Sequence, residues 1–260
     1  MKRYLATAVV AAASILFAAS PSAAVRTTAS AALTNVQFSV TDLTPDDGIA
    51  AGYQFSPRTT VIGASLSIGE FYDGFQAMPY FPVPVNAQAH FSDYSAQATT
   101  SGALGDLSTA IDVGAMRWQG DRAETQTFQS VAVLLKAHSA FTVSGHAEAT
   151  LWTANPGYPV LPGLAGSGAS LYYRSVEKPW LGARGSVQLA AGQSQANYDE
   201  WFSLTATNDF DYDIELLLEF STSSSVNYDV SAVPEPGTWA MLGAGLLVLA
   251  GRRRFGRSAA

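Results

Sequence analysis

The chain contains no cysteine. That absence removes disulfides, thiolate metal sites and cysteine nucleophiles together, so stability has to come from packing. Charge is the second shortage: only 13% of residues are Asp, Glu, Lys or Arg, against about a quarter in ordinary soluble domains. No long amphipathic helical pattern occurs, which argues against a helical enzyme and for a β-protein of the extracellular kind. The phosphate-cradling patterns G-x-x-x-x-G-K-[ST] and G-x-G-x-x-G are missing, as is the nucleophile elbow G-x-S-x-G. Histidine occurs three times, at His90, His138 and His146, with no H-E-x-x-H spacing. The expectation is a protein that is not an enzyme.

What charge there is has a layout. Of 14 basic residues, Lys2, Arg3, Arg252, Arg253, Arg254 and Arg257 lie at the ends, while all 21 acidic residues lie between Asp42 and Glu235. The eight basic residues left in Val25–Pro236 face those 21 carboxylates, a formal charge of −13. Such a field disfavours nucleic acid as a partner and favours solubility and divalent cations.

The N-terminus MKRYLATAVVAAASILFAASPSAAV joins a basic start to an apolar stretch and small residues, the layout of a secretory signal peptide. Ser22-Ala23-Ala24 offers a small-x-small cleavage site, so residues 1–24 are assigned to a signal helix cut after Ala24. Its partners would be the Sec translocon and signal peptidase. At the far end, residues 237–251 are uncharged and carry Met241, Leu242, Leu246, Leu247, Val248 and Leu249. As a helix this run covers about 23 Å at about 1.5 Å per residue, a thin transmembrane span. Trp239 takes an interfacial position, and Arg252, Arg253 and Arg254 would stay cytoplasmic as a basic tail over 252–257.

Val233-Pro234-Glu235-Pro236, followed by Trp239, the apolar run with Gly243 and Gly245, and the arginine cluster, resembles the PEP-CTERM sorting signal of Gram-negative bacteria. The resemblance covers residues 231–260. It implies recognition by exosortase, a membrane-embedded cysteine protease, cleavage near the Pro-Glu-Pro motif and transfer of the body to the cell surface or its release. The protein would be anchored in the inner membrane only transiently. The family also implies a link to exopolysaccharide and biofilm. Two prolines without backbone donors hold such a peptide extended and accessible, and Ser223, Ser224 and Ser225 read as a loosened connection upstream.

The body, residues 25–230, shows short stretches of period-two alternation. Phe210, Tyr212, Ile214, Leu216, Leu218 and Phe220 share one face of a predicted strand, with Asp209, Asp211, Asp213, Glu215 and Glu219 on the other. Phe141, Val143, Gly145, Ala147, Ala149 and Leu151 form a second such face, and Val226, Tyr228 and Val230 a third. Thr44-Pro45-Asp46-Asp47-Gly48 reads as a hairpin turn between strands around Val36–Val40 and Tyr53–Phe55. The proline-rich segments 77–88 and 154–168 read as surface loops of one domain. Together these predict an all-β fold, an antiparallel β-sandwich of jelly-roll type flanked by the signal helix and the transmembrane helix.

Candidate sites in the body are sparse. Asp42, Asp46 and Asp47 are candidates for an irregular calcium site, although an EF-hand starting at Asp42 fails because Asp47 and Tyr53 stand where Gly and Glu are required. No other cofactor is expected. The ladder Asp209, Asp211, Asp213, Glu215 spaces its carboxylates about 7 Å apart, too far for one ion. His146 and Glu148 share a strand face and form a candidate acid–base or metal pair. Asp199 and Glu200 beside Trp201 suggest glycosidase carboxylates, but adjacent strand residues face opposite ways, and Trp201 and Phe202 read as the start of a core strand. Ser167 falls in a loop with no base. Tyr172, Tyr173 and Trp180 are the aromatic candidates for sugar stacking. The alternatives to a surface or matrix protein are therefore a carbohydrate- or calcium-binding lectin-like module, and after it a secreted hydrolase.

Overall fold

A computed structural model describes residues 26–79, 83–114, 116, 120–154, 163–173, 181–189 and 193–228. The signal segment with Ala24, the sorting motif, the apolar run 237–251, the arginine tail and Trp180 lie outside the described residues. No helix long and apolar enough to cross a membrane occurs among the described residues. Residues 24–229 cluster as one compact unit.

That unit is built from β1 (Thr27–Asp42), β2 (Tyr53–Ile68), β3 (Phe71–Ala77), β4 (Pro84–Phe91), β5 (Tyr94–Ser101), β6 (Leu107–Val113), β7 (Arg122–Leu135), β8 (Ser139–Thr153), β9 (Gly163–Tyr173), β10 (Leu181–Gln188), β11 (Gln195–Asn208) and β12 (Ile214–Asn227). A front sheet runs β11-β8-β1-β6-β5-β4 and a back sheet β10-β9-β12-β7-β2-β3. Every pairing is antiparallel. Side chains from the inner faces of both sheets share two apolar clusters, which makes the unit a β-sandwich. Alternation supplies this directly, since β12 buries Ile214, Leu216, Leu218 and Phe220 and half-exposes the residues between.

The core is divided. One cluster holds Ala31, Ile62, Ile111, Ala123, Leu151, Ala165 and Val226. The other holds Leu33, Leu107, Val131, Phe141, Ala169 and Phe220. Between them, on the same inward faces, lie Thr60, Thr109, Thr125, Thr127, Gln129, Ser167, Thr222 and Ser224, all buried. A desolvated hydroxyl or amide costs free energy unless it is paired, and all of these but Thr60, whose Oγ1 finds no hydrogen-bond partner, pair with one another or with nearby backbone. Thr127 and Thr222 meet at 2.6 Å, Thr109 and Ser224 at 3.0 Å, and Ser167 donates to the Glu148 carbonyl at 3.0 Å. The Gln129 amide donates to Thr100 at 3.2 Å and accepts from the Gly105 amide at 2.8 Å. Three of these bonds, Thr109–Ser224, Gln129–Thr100 and Ser167–Glu148, join the two sheets.

Two long strands change phase at this belt. In β1 the inward residues run Ala29, Ala31, Leu33 and then Val36, Phe38, Val40, and the register shifts between Thr34 and Gln37. Asn35, at φ 55°, supplies the left-handed residue of that bulge. In β2 the shift falls between Pro57 and Thr59, where β7 is the paired neighbour and β3 does not yet pair. The β2–β3 hairpin closes through two residues, with Gly69 at φ 59° in its first position.

Several sequence expectations change here. No hairpin joins β1 to β2: they belong to opposite sheets, and Thr44–Gly48 lies on the crossing. The physical reason is aromatic packing. Phe38 meets Phe55 edge-on at 4.9 Å and Tyr53 meets Phe141 at 4.9 Å across the core, whereas a hairpin would lay the two apolar faces side by side. The strand predicted from Phe210 begins at Ile214, because buried Asn208 donates to the carbonyls of Leu135, Lys136 and Tyr212 and holds residues 208–213 in a bend. Phe210 and Tyr212 stack on each other there, exposed. Ser223–Ser225 are not a loose connection but the middle of β12, paired on both sides, and the stretch read separately from Val226 continues the same strand. Pro84–Gln88 lies in the edge strand β4, with Pro84 at its first residue, and Gly163–Gly168 lies in β9.

The sandwich edges are closed by rings. Phe71 stacks on Phe91 at 4.1 Å where β3 and β4 approach. At the other edge Tyr198 of β11 lies over Gly185 of β10 so closely that a Cβ on Gly185 would sit 1.7 Å from the ring.

The belt yields a double-mutant expectation. Thr222→Val should cost about 1–3 kcal/mol by stranding the Thr127 hydroxyl, while Thr127→Val with Thr222→Val should be close to neutral. Chemical denaturation of the four-member cycle checks this, and additive losses would mean that the pair does not act as one unit.

Candidate functional site

The structure brings together one set of sequence candidates, on the outer face of the front sheet. β8 and β11 pair in a register that sets Trp201 opposite His146 and Asp199 opposite Glu148. Alternation points all four outward, because Phe141, Val143, Ala147, Ala149 and Leu151 on β8 and Phe202, Leu204 and Ala206 on β11 take the inward positions. Trp201 is 70% exposed and Phe202 buried, so Trp201 is not a core residue as expected, although Phe202 is. Its indole instead lies 4.9 Å from the His146 ring, tilted by 39°.

His146 sits between two carboxylates. Its Nδ1 is 2.9 Å from Glu148 and its Nε2 2.5 Å from Asp199. A neutral imidazole donates from one nitrogen and accepts at the other, so the donor and acceptor roles in these two contacts depend on the tautomer. Glu148 and Asp199 are direct cross-strand neighbours of like charge, which is unfavourable without a cation between them. The His146 ring stands between the two carboxylates and contacts both. Opposite ring nitrogens also keep the two carboxylates from converging on one ion.

Asp199 and Glu200 point to opposite sides as expected, with Glu200 accepting from the Tyr198 hydroxyl at 3.2 Å. Burial, then the hydrogen bond to Glu200, hold the Tyr198 phenol above its ordinary range. Tyr172 is pushed up more strongly by burial and its hydrogen bond to Glu219. Tyr173 donates to the Thr207 carbonyl at 2.8 Å, tying the back sheet to the front. Both tyrosines expected to stack on sugars thus have their hydroxyls committed. Ser167 is a buried β9 residue rather than a loop serine.

The calcium candidates make local turns. Asp42 accepts from the Thr44 amide at 2.9 Å, and Asp47 accepts from the Thr44 hydroxyl at 2.5 Å and the Ile49 amide at 2.7 Å. The Thr44 hydroxyl first, and then the Ile49 amide, hold the Asp47 carboxyl below its usual range. Among the described residues no group of three or more His, Cys, Asp or Glu is placed to hold a metal. The acidic ladder is dispersed: Asp211 reaches His138 at 3.0 Å, Asp213 caps the Ala137 amide at 3.1 Å, and Glu215 alone stands on a strand.

Sequence reading paired His146 with Glu148 but missed Asp199 as the second partner. No local signal could have found it, because the contact depends on the register between strands 53 residues apart.

A family model for the PEP-CTERM protein-sorting motif matches residues 232–254. The tail therefore carries that sorting motif, which implies exosortase processing, export, and sorting at the membrane toward the cell surface. The match begins after the last residue of β12 and says nothing of the sandwich. No curated protein matches the chain significantly.

The clamp predicts its own energetics. His146→Ala should lower stability by about 1 kcal/mol by leaving Glu148 and Asp199 face to face, and adding Asp199→Asn should recover part of that loss. Denaturant midpoints of the single and double variants test this; an unchanged midpoint in His146→Ala would show that the imidazole relieves nothing.

Proposed function

We propose that the chain is an exported, exosortase-sorted surface or matrix protein, whose β-sandwich performs no catalysis and associates with exopolysaccharide or biofilm. The sorting motif at residues 232–254 carries this reading. The chain enters the Sec translocon, loses residues 1–24 to signal peptidase after Ala24, and stays at the inner membrane through Trp239–Leu249 and Arg252–Arg254 until the exosortase acts near Val233–Pro236. An acidic, low-charge body without cysteine suits a life outside the cell. The occupied ring nitrogens of His146 support a structural rather than a catalytic role for the carboxylates around it. The β9–β10 hairpin enclosed by the β8–β11 and β7–β12 pairings favours the jelly-roll variant of the sandwich.

Intact mass of the protein from its own cells tests the reading. The expected species starts at Val25 and ends near Pro234–Gly237, with or without an added group; a membrane-bound species running to Ala260 would overturn the processed-tail reading.

The sandwich works without a cofactor on this proposal. Asp42 and Asp47 already use carboxylate oxygens on Thr44 and Ile49. Excess calcium should leave the melting temperature of the full chain unchanged, and a rise that chelator reverses would restore the calcium site.

A further inference from the structure

The outer face of the back sheet carries a trough of about 420 Å³ that crosses β9, β12, β7, β2 and β3, within the range of small-molecule and oligomer sites. Four inter-strand spacings make it about 19 Å long. Its floor is made of short residues. Ser225 stands beside both Leu164 and Glu124, Ser223 beside Gln126, Gly63 beside Gln126, and Ser65 beside Glu124 and Gly74. Tyr72, 72% exposed, rises at one end with its ring against Gly74, and Leu164, 44% exposed, rises at the other.

We propose that this trough binds a run of neutral, hydroxyl-rich sugar residues. The lining offers serine hydroxyls and the amides of Gln76 and Gln126, groups that both donate and accept, as a polyol does. Its ionised side chain, Glu124, is already paired with Arg122, so the trough presents no net charge. The excess of carboxylates over the body opposes a polyanion. Tyr72 adds an exposed aromatic surface for the apolar face of a sugar ring. The choice of occupant rests on the polysaccharide-associated reading above; the trough itself does not.

The experiment is calorimetric titration of the full chain in mild detergent with neutral glucan and mannan oligosaccharides, and with an oligouronate of similar length. At least one neutral oligosaccharide should bind. Tyr72→Ala and Gln126→Ala should each weaken it by about tenfold, and Ser225→Trp, which fills the floor, should abolish it. Trp201→Ala on the front sheet should leave it unchanged, and circular dichroism and melting should confirm that each variant is folded. Absence of binding to every neutral oligosaccharide, preference for the oligouronate, or equal loss in Trp201→Ala would overturn the proposal. So would sedimentation showing that the face is instead buried in a dimer that Tyr72→Ala dissolves. A protein with its tail processed but no sugar bound would sink the trough alone, whereas an unprocessed protein that binds sugar would sink the sorting reading alone.

Discussion

The buried hydroxyl belt is the interaction on which the rest of this sandwich depends. The alanine-rich cluster around Ala31, Ala123 and Ala165 would tolerate a slip of its strands at little cost, since alanine and valine faces are nearly interchangeable along a strand. Thr127 against Thr222 and Thr109 against Ser224 remove that freedom. A shift of two residues would keep apolar faces inward but leave several desolvated hydroxyls unpaired, each costing about 1–3 kcal/mol. Without disulfides, a polar seam that penalises misregister is an available way to specify a single arrangement.

Register fixed inside determines chemistry outside. The β12 segment Thr222-Ser223-Ser224-Ser225 shows this in four residues, with Thr222 and Ser224 in the belt and Ser223 and Ser225 on the trough floor. One serine-rich stretch therefore performs two jobs by parity alone. On the front sheet the same logic places His146, Glu148, Asp199 and Trp201 on one outward face. The two faces differ in character. The front one spends its charged groups on each other, and the back one leaves hydroxyls and amides facing solvent. Delivery to the surface is a property of the tail, and the body brings only its faces to that place.

Legibility in the sequence followed how local each signal was. The Phe141–Leu151 face was readable because alternation is covalent, and Leu216–Phe220 because its apolar residues are large. The start of that strand was misread at Phe210, where the same alternation runs through a bend held by Asn208, whose three carbonyl partners come from two other segments. Ser167 reads as loop because it stands between glycines at the end of a proline-rich segment, and Ser223–Ser225 as a linker because serine runs are common in flexible connections. The burial of Ser167 and Ser224 is explained only by partners 19 or more residues distant. The Asp42–Gly48 turn was recognised as a turn, but a turn motif does not say whether the next strand returns to the same sheet.

Composition and covalent order by themselves determined the β class, the absence of cross-links, the acidic body and the sorting tail, because each depends on residue type and near-neighbour spacing. Tertiary structure alone decided which strands share a sheet, that the aromatic residues Phe38, Tyr53, Phe55 and Phe141 meet across the core, and that His146 receives a second carboxylate. Those outcomes depend on pairing between residues far apart in the chain. The free energies that select such pairings, hydroxyls satisfied and rings packed, exist only once both sheets are in place.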